Sequence, residues 1–108
     1  MANLLFLLIA GHALADYPLQ GDFLATNKAR KGPKYVPWWQ ALAAHALIHG
    51  GVVAAVTGLW WLGAAEAVIH AVTDHLKCEG WIGINVDQAV HLACKVLWAA
   101  IAVGVAHG

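Results

Sequence analysis

The chain alternates long apolar stretches with short polar ones, and the spacing of the interruptions predicts helices throughout. Positions 1–15 are apolar except for Asn3, Gly11 and His12. We expect a first membrane helix there, running past Asp16 toward Asn27, with Pro18 kinking or breaking it because proline lacks the N–H and crowds the preceding turn. A secretory signal is the competing reading, since Ala13-Leu14-Ala15 has the small residues of a cleavage site. No Lys or Arg precedes the apolar run, however, and a signal usually starts with positive charge. The second stretch, 39–60, covers about 31 Å as a helix, close to the thickness of a hydrocarbon core. Trp38-Trp39 and Trp60-Trp61 sit at its two ends like headgroup anchors. The third, 63–76, covers only about 20 Å and would cross with tilt or local thinning. The fourth, 84–106, is long enough, and the glycines of 77–83 mark the turn before it. No period-two alternation suggests strands and no repeat is visible. The expected fold is all-α: one domain over 1–108, a polytopic membrane protein folded as an antiparallel four-helix bundle.

Composition sharpens this picture. Hydrophobic residues make up 61% of the 108 and charged residues 11%, against roughly 25% charged in soluble domains. Mean hydropathy is +0.66. The length excludes a two-domain enzyme or a large soluble core. Zero formal net charge gives no basis for a nucleic-acid partner. Cys78 and Cys94 form no Cys-x-x-Cys pair and read as small packing residues. Placement of charge matters more than its total. Lys28, Arg30, Lys31 and Lys34 lie between the first two helices and Lys77 between the last two, while the segment around 60–63 and both termini carry no Lys or Arg. The positive-inside rule then sets the chain in the inner (cytoplasmic) membrane, multi-pass, with both termini outside. The same basic loop suits contact with anionic lipid.

The chemistry lies in residue pairs four apart, which share one face of a helix. These are His12 and Asp16, His45 and His49, His70 and Asp74, and Asp87 and His91, with Gln88 beside Asp87. His75 and His107 fall off these stripes and read as solvent or interface histidines. In an antiparallel arrangement all four stripes reach the same cytoplasmic half. Ionisable groups in a membrane are costly and usually face a functional interior. Imidazole with carboxylate suits a divalent metal, zinc above all. The expected ligands are His12, His45, His49, His70, Asp74 and His91, more than one tetrahedral ion needs. Either two metals bind or some carboxylates orient the ligating imidazoles. Asp16 and Asp87 are the expected catalytic carboxylates, with Asp16 orienting a histidine or acting as general base. Gln20, Lys77 and Gln88 would support ligands or substrate. The plainer reading is a metal-free network of Asp–His and Gln–His hydrogen bonds. Such bonds between membrane helices average only about 0.6 kcal/mol each, little return for burying so many titratable groups. Deeper by eight residues on each of the last two helices, Glu66 and Lys95 reach one level and are expected to form a buried ion pair; the alternative is that Lys95 snorkels alone.

The ordered strings Leu8-Ile9-Ala10-Gly11-His12-Ala13-Leu14-Ala15-Asp16-Tyr17-Pro18-Leu19-Gln20, His45-Ala46-Leu47-Ile48-His49-Gly50, His70-Ala71-Val72-Thr73-Asp74 with Lys77, and Asp87-Gln88-Ala89-Val90-His91 resemble the DUF3307 family of small bacterial and phage integral membrane proteins without assigned activity. The resemblance covers nearly the whole chain. It implies that His12, Asp16, Gln20, His45, His49, His70, Asp74, Lys77, Asp87, Gln88 and His91 are the positions of interest, and supplies no function. A fainter similarity to membrane-bound metal-dependent hydrolases is an analogy of residue types only.

The leading expectation is a metal-dependent hydrolase at the cytoplasmic leaflet, its ion generating hydroxide and Lys77 with the basic loop holding an anionic lipid or phosphate-containing substrate. The alternative is a non-enzymatic membrane protein: an ion or proton binder, which with four helices would need a homo-oligomer to enclose a path, or an accessory protein that binds a partner through a structural His/Asp network. The outer half offers few polar groups beyond Glu66 and Lys95, which disfavours transport. The lipid bilayer is a partner under every reading.

Overall fold

In the computed structural model, which describes residues 1–32 and 34–107, the first apolar stretch is two helices and not one. Helix α1 spans Ala2–Asp16 and α2 spans Gly21–Asn27, bent 78° from it. Pro18 is the cause. It has no N–H to offer Leu14, whose carbonyl accepts instead from Leu19 N at 3.1 Å. The described residues therefore form five helices and no strand. The others are α3 (Trp38–Thr57), α4 (Trp60–Cys78) and α5 (Ile84–His107).

Helix α3 ends earlier than the apolar pattern suggests. Gly58 follows it at φ 74°, the left-handed conformation that stops a helix, and its N–H caps Ala54 O at 2.8 Å. Trp60 and Trp61 accordingly open α4 and do not close α3. The two-residue turn at Gly58 and Leu59 makes α3 and α4 antiparallel neighbours. They approach very closely at Gly50 and Gly63, where a Cβ on Gly50 would lie 2.5 Å from Gly63 O. Small residues permit this backbone-to-backbone contact, as in membrane helix pairs. Helix α4 is 19 residues long, several more than its apolar run. Helix α1 packs on α3 and α5, α4 packs on α3 and α5, and α2 rests on α3. The molecule measures 48 × 22 × 20 Å.

Two helices, Trp38–Thr57 and Ile84–His107, are long and apolar enough to cross a membrane, and the bent pair α1 and α2 would make a third candidate if counted as one span. Burial supports membrane association. The buried set includes His12, His45, His49, Glu66, His70, Asp74, Asp87, His91 and Lys95, while Phe6, Leu7, Leu47, Val68, Val72, Val96 and Leu97 are exposed. A soluble protein reverses this arrangement. The interior has two zones. At one end Leu8, Val53, Leu62, Trp98, Ala99 and Ala102 form an apolar core. At the other the polar side chains meet.

Candidate metal centre

Each long helix contributes its polar pair from the end remote from the apolar core. In α1 these are His12 and Asp16, in the last two turns before the Pro18 break. In α3 they are His45 and His49, in α4 His70 and Asp74, and in α5 Asp87 and His91. The structure brings all eight together. His12, His45, His49, His70, Asp74, Asp87 and His91 are buried, and Asp16 is half-buried.

Asp16 is the hub. Its Oδ1 faces His49 Nε2 at 2.9 Å and His45 Nε2 at 3.5 Å. Its Oδ2 faces His12 Nε2 at 3.2 Å and accepts from Gln88 Nε2 at 3.1 Å. If His45 donates its Nε2–H to Asp16, then His70 Nε2, 3.2 Å from His45 Nε2, must be the acceptor. The proton of His70 then sits on Nδ1, which faces Glu66 Oε1 at 3.5 Å. The rings of His49, His70 and His91 stack, with centroids 3.7 and 4.0 Å apart. His91 Nε2 lies 3.1 Å from Asp87 Oδ1. Buried Nδ1 atoms of His12, His45, His70, His75 and His91 have no hydrogen-bond partner among the described residues.

The two aspartates expected to differ in role have different surroundings. Asp16, expected to orient or act as base, is the carboxylate that groups with His45, His49 and His70, all offering ligand atoms within 4.8 Å of one another. Asp74, expected as a ligand, is held by Lys28 Nζ at 2.8 Å and Lys77 Nζ at 3.2 Å. Its nearest approach to the cluster is His45 Nε2 at 3.6 Å. Charge explains this: a carboxylate at the loop-side end of α4 lies within reach of the ammonium groups that the loops bring in. Asp87 faces His91, Gln88 and Lys77. Gln20 donates to Asp16 O at 3.2 Å and accepts from Lys28 at 2.5 Å. His12 reaches the cluster through Asp16 and Gln88 Oε1 and stands outside both groups with metal-holding geometry.

Below the imidazoles Lys95 Nζ donates to Glu66 Oε1, and Trp98 Nε1 donates to Glu66 Oε2 at 2.7 Å. A second group, Glu66, His70 and His91, also has metal-holding geometry. The Lys95 ammonium already stands beside its carboxylate, which makes that group the poorer cation site.

Lys28 is the residue that reasoning from the pattern missed. It lies in the basic loop, where the plain expectation is a solvated charge, yet it is only 4% exposed. Asn27 turns it inward: Asn27 Nδ2 donates to Phe23 O at 2.9 Å and its Oδ1 accepts from Tyr35 N at 2.8 Å. An Asn at the end of a short helix before a basic run was the available signal. Outside the cluster, Arg30 grips Glu79 through Nε at 2.8 Å and Nη2 at 3.0 Å, tying the two loops together. That bidentate bond holds the Arg30 guanidinium above and the Glu79 carboxyl below their ordinary values. His75 stacks on Trp38 at 5.1 Å. Cys78 and Cys94 are free.

A cleft lined by Asp16, Tyr17, Gln20, Lys28, Lys77, Ile84 and Gln88 leads from the surface to the hub carboxylate. Beyond the Glu66–Lys95 pair lies the apolar core.

The four motifs thus fall in order on α1, α3, α4 and α5 and converge on one centre. The chain belongs to the DUF3307 family. The family model, described as a protein of unknown function, matches residues 4–107. No curated protein and no solved structure matches the chain.

Proposed function

We propose that this DUF3307 protein is a membrane-embedded metal-binding protein, with zinc held by His45, His49 and His70 beside Asp16, and that it acts as a metal-dependent hydrolase. The observation that carries the reading is the spacing of the donors. Tetrahedral zinc at about 2.0–2.1 Å from its ligands sets them about 3.3–3.4 Å apart. The His49–Asp16, His70–His45 and His45–Asp16 separations are 2.9, 3.2 and 3.5 Å. Displacement of Asp16 from the fourth position by a water would open the site toward the cleft that Asp16 lines, as catalytic zinc sites require. A zinc ion there would lower the pKa of a bound water toward about 7. Asp16 is placed to take the proton, and Asp87 to hold His91.

In this reading α1 with α2, α3, α4 and α5 each cross the inner membrane, forming the four-helix polytopic bundle. The cleft then faces the cytoplasm and both termini lie outside. The support is that Arg30, Lys31, Lys34 and Lys77 all lie at the cleft end, and the Gly58–Leu59 turn has no basic residue. The apolar core at the far end favours a one-sided enzyme over a conducting path.

A second reading, a metal-free structural network, is favoured by the hydrogen bonds of Asp16 with His49 and Gln88 and of His12 with Gln88. The metal-bound reading is favoured by the grouping of ligand atoms of Asp16, His45, His49 and His70 within 4.8 Å of one another. Elemental analysis of purified protein separates the two. We expect about one zinc per chain, lost in His49→Ala and His70→Ala and kept in His75→Ala. Absence of any metal from the wild-type protein overturns the hydrolase reading.

A further inference from the structure

We propose that the cleft over the metal centre binds one monoanionic phosphodiester, the charged group of a phospholipid, as the partner that completes the charge of the site. The inference rests on the metal-binding reading above and adds the class of substrate.

The first argument is charge. At the cleft end Asp74 meets Lys28 at 2.8 Å and Lys77 at 3.2 Å, Asp87 meets Lys77 at 3.7 Å, and Asp16 lines the cleft beside both lysines. With the imidazoles neutral, as metal ligation requires, the group carries one uncompensated negative charge. The deeper Glu66–Lys95 pair is neutral in itself. A divalent ion turns the excess to one positive charge. Uncompensated charge in a desolvated membrane interior is costly, and a single monoanion removes it. Hydroxide does so in the resting site; a phosphodiester, which carries one negative charge, does so in a substrate complex. A phosphate monoester dianion would overshoot.

The second argument is the lining. Lys28 and Lys77 flank the cleft and offer ammonium donors, while Gln20 and Gln88 offer amides. Lys28 is buried and Lys77 half-buried. Ammonium donors facing an anion in a partly dry cleft make the stronger, charge-assisted hydrogen bonds.

The third argument is size and depth. The cleft volume is about 110 Å³, well under the ~300–1,000 Å³ of pockets that enclose a whole small molecule. It admits a charged group whose remainder stays outside. Tyr17 in the lining is exposed, and so are Tyr35 in the basic loop, Trp39 in the first turn of α3 and Trp81 in the turn before α5. Aromatic belts mark headgroup depth, the level of a phospholipid phosphodiester.

The test measures zinc affinity by chelator competition on the full chain in a phosphate-free maltoside detergent. Four conditions are compared: no addition, monomeric dihexanoyl phosphatidylglycerol, dimethyl phosphate, and dihexanoylglycerol, which lacks the phosphate. Because linkage is reciprocal, a phosphodiester that binds the zinc-loaded site tightens zinc, by about ten-fold. Dihexanoylglycerol leaves it unchanged. Lys28→Gln and Lys77→Gln lose the tightening. Lys77 is the more exposed of the two, so its variant gives an answer even if Lys28→Gln fails to fold. Tightening by the lipid alone assigns the group to a membrane source, and equal tightening by dimethyl phosphate supports the same site with a soluble source. If zinc binds but neither phosphodiester tightens it, or if dihexanoylglycerol matches the lipid, the phosphodiester site is wrong and the metal centre stands. If zinc does not bind at all, both fall.

Discussion

Glu66 and Lys95 are each 1% exposed, and at this depth a single side chain is defined by its partner. The ammonium is charge-matched by Glu66, whose second oxygen accepts from Trp98. Removing one member of a buried pair leaves a charge with no compensation, which costs about 3–5 kcal/mol, whereas replacing both by neutral groups is often harmless. Lys95→Met is therefore expected to destabilise by about that amount, and Glu66→Gln with Lys95→Met to recover most of it. Thermal unfolding in detergent of the two singles and the double measures this. A Lys95→Met protein as stable as the double variant would show that the pair is not the reason these residues lie inside. The pair was legible in the sequence, because two opposite charges eight residues from the turn-side aspartates of antiparallel helices must share a level. Trp98 as a third member was not, since an indole on an apolar helix reads as packing.

At the scale of elements, two features set the site. One is the α3–α4 contact. A Cβ on Gly63 would lie 2.5 Å from Gly50 O and 2.8 Å from Ala54 Cβ, whereas one on Gly51 meets nothing within 4 Å. Gly63→Ala must push two backbones apart and is expected to cost about 1–3 kcal/mol. Gly51→Ala is expected to be neutral or stabilising by up to about 1 kcal/mol through helix propensity. Paired unfolding curves compare them, and equal effects would mean the close approach is not real. Because His45 and His49 ride on α3 and His70 on α4, Gly63→Ala should weaken zinc as well. The other feature is the loop clamp. Glu79 is held below its ordinary range by Arg30, so the clamp contributes fully above the ordinary glutamate range and is lost as pH falls through the lowered value. Amide exchange at 29–32, corrected for intrinsic rate, should rise on acidification, and Glu79→Gln should produce the same rise at neutral pH. No change in either would remove the clamp from the account.

For the whole molecule, the decisive feature is its inverted distribution, with charge inside and Leu, Val and Trp outside. The proposed orientation puts the cleft in the cytoplasm. In a Cys78→Ser, Cys94→Ser background, Lys31→Cys is expected to react only with thiol reagents that enter the cell, and Trp60→Cys with those that do not. Labelling of both from the same side contradicts the four-span arrangement. The long dimension of 48 Å is slightly more than the ~40–45 Å of a bilayer with its headgroups.

The sequence by itself determined that the polar pairs turn inward and gather in one half. Lipid cannot solvate ionisable groups, and i, i+4 spacing leaves each helix one polar face. It also located the break after Asp16, because the missing N–H of Pro18 is a local property. Only the tertiary structure decided which carboxylate meets the imidazoles and which meets the lysines. That choice depends on how far each helix is rotated about its axis and how closely its neighbour approaches. Those quantities are set by the Gly50–Gly63 contact, by the 78° bend that swings α2 aside, and by Asn27 folding the basic loop so that Lys28 reaches Asp74. These are contacts between residues far apart in the chain, and no periodicity within a single helix encodes them.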